Sequence, residues 1–405
     1  MANENQLGSV SISVKEDRYS ALRLIEWWNQ EKLKNSVALV LGAGAIGNEV
    51  LKNLALLGVG RIIIADFDQV ETVNLCRSVL FRDEDVGRRK ADAAADGVRR
   101  LNPEVLAFSV PGDFRLTIGL GTFRRVDMVL GCLDSREARL ALNRCCYQTG
   151  RPWVDGAIHS LLGEARVFSP GRGACYECTL TDADYKLISA RYSCQSIRRD
   201  PTFEPRVPTT PTIASIVGAA EVQNVVKMLH GRDVESGQAQ VFNGVTNDSW
   251  TVRLPLKENC MSHEILGPIV ERADLTSRLS VREFLGRVRE DLGGDAVLDL
   301  GFDLLTRLGC SCGDGTVDVL QPALKFTERD LKCPVCGAVR TAQLQHLLDG
   351  NGELADRSLA SLGVSPLSVL AVRANGRLHY IELRGDMASV PWFRHSGAPA
   401  VEEAS

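Results

Sequence analysis

The chain has 405 residues, 44% hydrophobic and 24% charged, enough to build two or three compact units and too apolar to be disordered throughout. Forty-seven Lys and Arg against 51 Asp and Glu leave a net charge of −4, which argues against a broad basic face for nucleic acid. No apolar run reaches the roughly 18 residues of a membrane span, and the opening MANENQLGSVSISVKED lacks the basic and then apolar stretches of a secretory signal, so a cytoplasmic protein with no membrane partner is expected.

Residues 1–14 are expected to be a flexible N-terminus. Residues 15–35 carry apolar side chains at helical spacing and predict a leading helix. Residues 36–41 (SVALVL) predict a strand that ends in GAGAIG, and residues 48–57 return to helical periodicity. RIIIAD at 61–66 predicts a second strand, and two strands joined by such a crossover lie parallel. The same rhythm continues with a helix near 88–101, strands near 105–110 and 126–132, and a helix at 136–147 that Ser135 would cap. The fold class is therefore α/β, a Rossmann-like doubly wound and mainly parallel sheet.

From 153 to 169 the pattern changes to hairpin strands and then a Gly- and Cys-rich turn. Residues 213–230 predict one long helix, followed by two antiparallel strands in QAQVFNGVTNDSWTVRLPL. Past about 268 a charged helix at 281–292, four cysteines and a hairpin turning at Asn375 and Gly376 indicate a smaller α+β unit. The expected domains are thus 15–268, with a crossover segment near 180–210, then 269–386, with 387–405 as a tail.

Gly42, Gly44 and Gly47 sit between strand and helix, where they permit a tight turn, close phosphate approach and helix packing. Asp66 ends the next strand at the spacing where a carboxylate meets ribose hydroxyls, and Asp68 joins the expected nucleotide-binding set. This pattern alone does not separate a dinucleotide from ATP. The next segments do, because Asn74, Arg77 and Lys90 supply the amide and cations that spread charge on a triphosphate. Asp134 follows a later parallel strand, where a carboxylate can hold Mg2+. Taken singly, Arg77 and Lys90 also fit a solvated cationic surface, and Asp134 a helix cap.

Several segments, taken together and in order, resemble the ThiF/MoeB/HesA family of adenylating enzymes, which includes the ubiquitin-activating enzymes. These are GAGAIG, DFDQVETVNLCR, VGRRKA, LD at 133–134, PWVDGAIHSLLGEARVFSPGRGACYEC and PTTPTIASIVGAAEVQNVVKMLHG, spanning about 18–263. The resemblance implies ATP-dependent adenylation of the C-terminal glycine of a ubiquitin-like protein. Asp66 would then bind ribose, Asn74, Arg77 and Lys90 the phosphates, and Asp134 the magnesium. It also implies a homodimer, in which an N-terminal arginine reaches the partner's ATP site. This chain departs from the family at two places, Ser78 for the usual Gln and Ala21 for that arginine, leaving Arg18 or Arg23 as substitutes.

Cys175 and Cys178 form a C-x-x-C that suits two thiolates on tetrahedral zinc. The second pair implied by the family falls at Cys260 and His263. Outside the resemblance, Cys310 and Cys312 with Cys333 and Cys336 (CPVCG) form another four-thiol set, so two structural Zn2+ sites are expected, with cross-pairing between the sets left open. Cys194, in ARYSCQSIRRD, corresponds to the family's crossover cysteine that takes the acyl group as a thioester. Arg191, Arg198 and Arg199 would lower its pKa. The alternative is a loop cysteine with no acyl role.

The C-terminal hairpin is compatible with a β-grasp, which by analogy would recruit a conjugating enzyme or dock the modifier, against simple structural stabilisation. Three rival functions stay open: a sulfur-carrier activator in thiamine- or molybdopterin-type biosynthesis, an NAD-linked oxidoreductase, and a non-catalytic scaffold.

Overall fold

Val37–Leu41 (β1) is buried at every position, as a run of branched apolar residues must be when helices cover both faces of its sheet. A computed structural model describes residues 16–192, 197–198 and 208–394. The first unit runs Gln30–Asn35 (α1), β1, Ala45–Leu57 (α2), Arg61–Asp66 (β2), Lys90–Leu101 (α3), Leu106–Pro111 (β3), Phe114–Thr117 (α4) and Leu120–Arg125 (α5). It continues with Met128–Gly131 (β4), Arg136–Gln148 (α6), Trp153–His159 (β5), Leu162–Phe168 (β6), Asp182–Ser189 (α7), Pro211–Leu229 (α8), Gln238–Asn243 (β7) and Asp248–Arg253 (β8).

Its eight strands lie in the order β3-β2-β1-β4-β5-β6-β7-β8. The first five are parallel and the last three join by antiparallel pairing. Winding starts at β1, proceeds outward through β2 and β3, then returns to place β4 on the other side of β1. The chain thus leaves a crevice at the carboxyl ends of β1 and β4, the place where open α/β sheets bind ligands. Val50, Leu54, Val98, Val217 and Val225 fill one face of the sheet, and Leu39, Leu41, Phe123, Trp153 and Phe168 the other.

The leading helix differs from expectation. Only Gln30–Asn35 is α-helical, with a short 3-10 turn at Leu22–Leu24. Trp27 and Trp28 pack on His230 at the end of α8, with ring centroids 5.1 and 5.2 Å away, and the Asn29 side chain accepts the Lys32 N–H to start α1. Tertiary capture of two indoles overrides helical periodicity here.

The second unit comprises Ile269–Arg272 (β9), Val281–Leu292 (α9), Val297–Gly309 (β10), Val317–Pro322 (β11), Thr341–Leu348 (β12), Val369–Ala374 (β13) and Arg377–Leu383 (β14). Its sheet has the order β11-β10-β13-β14-β9, with β12 also on β10. Asn375 and Gly376 have φ of 51° and 70°, the paired positive values of a type I′ hairpin turn. The likeness to a β-grasp is limited to the parallel β9 and β14 pair, since one strand and not a hairpin precedes α9.

The two units are interlocked. Glu382, with no exposed surface, sits between Arg124 and Arg125 of α5. Leu367 enters the core of the first unit, and its carbonyl accepts the Gly121 N–H at 2.8 Å. The stretch expected as a tail from 387 includes Val390 and Trp392, both buried in that same core, and Arg61 donates to the Trp392 carbonyl at 3.2 Å. Among the described residues, no helix is long and apolar enough to cross a membrane.

Candidate nucleotide site and metal clusters

The turn after β1 is shaped by close approach. Gly42 has φ of +97°, and a Cβ there would overlap the Cys132 carbonyl beyond β4. A Cβ on Gly47 would overlap the carbonyl of Gly42, so this glycine lets α2 start against the turn. Gly44 has nothing within 4 Å of its missing Cβ. Its open side faces the cleft, whose lining includes Gly42, Gly44, Asp66, Asp68, Lys90 and Asp134. The fully buried Asn48 ties the turn down. Its amide donates to the carbonyls of Ala43 at 2.8 Å and Gly44 at 3.0 Å, and its oxygen accepts the Leu80 N–H at 2.9 Å. Sequence reading missed Asn48, which shares α2 with a second asparagine, Asn53, so that residue type alone did not mark it.

Asp66 stands at the end of β2. Its Oδ2 accepts the Ala43 N–H at 2.7 Å and its Oδ1 the Asp68 N–H at 2.8 Å. Burial raises its pKa, opposed by the Lys90 charge and these two N–H groups. Lys90, at the first position of α3, reaches Asp68 at 2.7 Å. Asp134 is exposed just beyond β4, and Ser135 caps α6 by accepting the Ala138 N–H at 3.1 Å.

Asn74 and Arg77 are not in the cleft lining. They lie on a 3-10 turn, Thr72–Arg77, where Asn74 is buried and its Oδ1 accepts the Glu71 N–H at 2.9 Å, closing a capping box. Arg191 and Arg198, singled out in the sequence only as neighbours of Cys194, do line the cleft. Arg115 joins them, held by Asp113 and Glu137. Cys194 and Arg199 lie outside the described residues. Burial pushes the Cys145 thiol up to about 12 and those of Cys132 and Cys146 well above their ordinary value, which leaves all three poor nucleophiles.

The two cysteine sets are each brought together without cross-pairing. Cys175, Cys178, Cys260 and His263 present donor atoms all within 4.8 Å of one another, and so do Cys310, Cys312, Cys333 and Cys336. A tetrahedral ion with 2.3 Å Zn–S bonds requires sulfurs about 3.8 Å apart. In the first set Cys175 Sγ is 3.7 Å from Cys178 Sγ and 3.5 Å from Cys260 Sγ, with His263 Nε2 3.4 Å from Cys178 Sγ. His263 is oriented by stacking on Tyr147. In the second set the Sγ separations are 3.3 Å (Cys310 to Cys312), 3.5 Å (Cys310 to Cys336) and 3.8 Å (Cys312 to Cys333). The Cys336 and Val335 N–H groups draw the Cys333 thiol down to about 6. A Cβ on Gly315 would overlap the Cys333 sulfur, so this glycine lets the loop close. Both donor sets fit a zinc ion, the first buried and the second near the surface.

Comparison with known proteins agrees with this architecture. The chain is 36% identical over 173 residues to "SUMO-activating enzyme subunit uba-2" of Caenorhabditis elegans, a match covering 42% of this chain and 29% of that relative. It is 29% identical over 217 residues to "Ubiquitin-like modifier-activating enzyme 5" of Dictyostelium discoideum, covering 50% of this chain and 54% of the relative. These curated relatives are therefore matched over about half of their length or less. Escherichia coli MccB, solved with ATP, superposes with a TM-score of 0.51 at 23% identity over 64% of this chain and 76% of its own, a likeness of fold. The ThiF family matches residues 17–262, a span that contains the glycine turn, Asp66, Lys90 and Asp134, and the chain belongs to the ThiF family.

Proposed function

We propose that this protein is an ATP-dependent adenylating enzyme that activates the C-terminal glycine of a ubiquitin-like protein. The observation that carries this reading is the gathering of Gly42, Gly44, Asp66, Lys90 and Asp134 into one cleft at the strand-order reversal of a ThiF-family sheet.

In this reading the open face of Gly44 admits the nucleotide phosphates, Asp66 accepts the ribose hydroxyls, and Lys90 exchanges Asp68 for a phosphate oxygen. Asp134 and Asp68 would hold Mg2+, which neutralises charge on the triphosphate. A carboxylate oxygen of the terminal glycine attacks the α-phosphorus, the bond from that phosphorus to the β-phosphate bridging oxygen breaks, and pyrophosphate leaves. The catalytic demand is alignment and charge stabilisation, not proton transfer. Cys194 would then take the acyl group as a thioester, its thiolate displacing AMP, before hand-off to a conjugating enzyme. Asn74 and Arg77, outside the lining, would reach the phosphates only through movement of the Thr72–Arg77 turn or from the partner in a homodimer. The two cysteine sets would be structural Zn2+ sites, and the compartment the cytoplasm.

The test is ATP–pyrophosphate exchange with a panel of ubiquitin-fold proteins ending in Gly-Gly. Exchange that depends on the modifier and is abolished by Asp134→Ala is expected. Cys194→Ala should spare exchange and remove a thiol-sensitive adduct. Failure of exchange with every member, alongside tight binding of a nicotinamide dinucleotide, would sink the reading.

A further inference from the structure

Ile197 has no exposed surface, and the residues that bury it belong to the C-terminal unit. It completes a small core with Leu305, Leu308, Ala323 and Leu331. The backbone on either side is held as well. Arg198 is bridge-paired with Thr327 of the C-terminal unit and with Tyr192 of the first, and its carbonyl accepts the Glu328 N–H at 2.9 Å. Leu308, near the end of β10, and Leu331 stand two residues before Cys310 and Cys333, so two walls of this socket adjoin the four-thiol set. Along the chain Ile197 is three residues past Cys194.

Arg198 lines the nucleotide cleft. Of the other cations there, Lys90 pairs with Asp68, Arg115 with Asp113 and Glu137, and Arg191 is engaged as well, whereas Arg198 has no carboxylate partner among the described residues. A half-buried guanidinium without a counter-ion, on a cleft that already holds a lysine, is stabilised by an arriving phosphate through charge-assisted hydrogen bonds.

We propose that Arg198 contacts the phosphate tail of the bound nucleotide and that Ile197 is its positioning residue, plugged into a socket of the C-terminal unit. That unit, outside the ThiF match, thereby sets where the crossover segment meets the cleft. The inference rests on the nucleotide reading of the cleft and extends it to a residue whose placement depends on a second domain.

The experiment titrates the full-length, metal-loaded protein with the α,β-methylene analogue of ATP and, separately, with adenosine. Ile197→Ala and Arg198→Ala are each expected to weaken the analogue about tenfold, the worth of one charge-assisted hydrogen bond, while adenosine binding stays unchanged. The double variant should lose no more than the stronger single one, because the two act through one contact, and Arg198→Lys should recover part of the loss. Ile197→Ala and Leu331→Ala should also accelerate tryptic cleavage near Arg198 with zinc content unaltered. Additive losses, an equal loss for adenosine, or unchanged affinity in Arg198→Ala would overturn the proposal. If the unaltered protein binds the analogue yet never exchanges pyrophosphate, the adenylation reading alone falls and these affinities still decide on Arg198. If it binds no nucleotide, both fall.

Discussion

The Asp66 carboxylate accepts the Ala43 N–H at 2.7 Å across 23 residues of chain, so the candidate ribose ligand is also a strut of the glycine turn. With its second oxygen on the Asp68 N–H, the side chain braces both walls of the cleft. Asp66→Asn keeps one acceptor and turns an amide toward one of the two donors, so one wall loses its brace. Asp66→Ala leaves both N–H groups unpaired and should cost about 1–3 kcal/mol of stability together with at least tenfold in ATP affinity. Urea denaturation and calorimetric titration read the two effects separately, and an alanine variant with unchanged ATP affinity would remove Asp66 from the site.

Gly44 and Gly47 separate ligand space from packing space. A methyl group on Gly44 meets nothing within 4 Å, while one on Gly47 overlaps the Gly42 carbonyl. Gly44→Ala should therefore fold with a melting temperature within a few degrees of the parent, since an unstrained surface substitution moves stability by about 0.5 kcal/mol or less, but bind nucleotide poorly. Gly47→Ala should be destabilised in the absence of any ligand. Equal melting temperatures for the two would show that the turn adjusts more freely than its geometry indicates.

The contrast between these glycines was legible in the sequence, where the spacing of Gly42, Gly44 and Gly47 reads as a tight turn, close phosphate approach and helix packing in turn. Strand and helix periodicity read α2, α3, α8, α9 and the Asn375–Gly376 hairpin to within a few residues, because each is fixed by local pattern and caps. What escaped was set by partners far along the chain. Trp27 and Trp28 leave the helical pattern for His230, Asn74 turns inward to cap its own turn, and Trp392 packs more than 300 residues away beside Arg61. Spacing singled out Cys175 with Cys178 and the four later cysteines, while Cys260 and His263 came from the family resemblance, and the donor atoms of each set lie within 4.8 Å of one another.

Two zinc ions per chain are expected, and they should come off independently. Cys178→Ser removes a ligand from a buried set that joins the turn after β6 to the segment beyond β8, so the loss should unfold or aggregate the first unit. Cys333→Ser opens a set near the surface and should yield protein with one zinc and a nucleotide-binding unit that still melts cooperatively. Elemental analysis combined with calorimetry checks both variants. A Cys333→Ser protein that keeps two zinc ions would show that the second set is not a metal site.

The Glu382 carboxylate shared by Arg124 and Arg125 ties the two units together, beside Glu271 of β9, which reaches the same two guanidinium groups at 3.1 Å. Removing one partner of a buried ion pair costs about 3–5 kcal/mol when it leaves a charge unpaired; Glu271 still pairs both arginines here, so the loss on the seam between the units should fall below that range. Glu382→Ala should split a single denaturation transition into two, the earlier one belonging to the C-terminal unit. A single, merely shifted transition would mean that Glu271, Leu367 and Trp392 suffice to hold the units together.

Glu221 of α8 has no exposed surface, and neither of its carboxyl oxygens has a hydrogen-bond partner among the described residues. Burial and the neighbouring Asp155 charge push its pKa well above 4.5, and the positive charges of Arg139 and Arg166 only partly oppose this. Because the folded protein holds this proton more tightly than the unfolded chain, the stability linked to it is fully present below pH 4.5 and is lost as pH rises toward the folded pKa. Glu221→Gln keeps the shape without the proton. Relative to the parent it should therefore gain about 1.4 kcal/mol for each pH unit across that window. Urea midpoints of the two proteins measured at pH 5, 7 and 8.5 should move apart in favour of the glutamine variant as pH rises from 4.5 toward the folded pKa. A constant difference across the series would mean that Glu221 is ionised throughout and that a cation or water, rather than a proton, satisfies it.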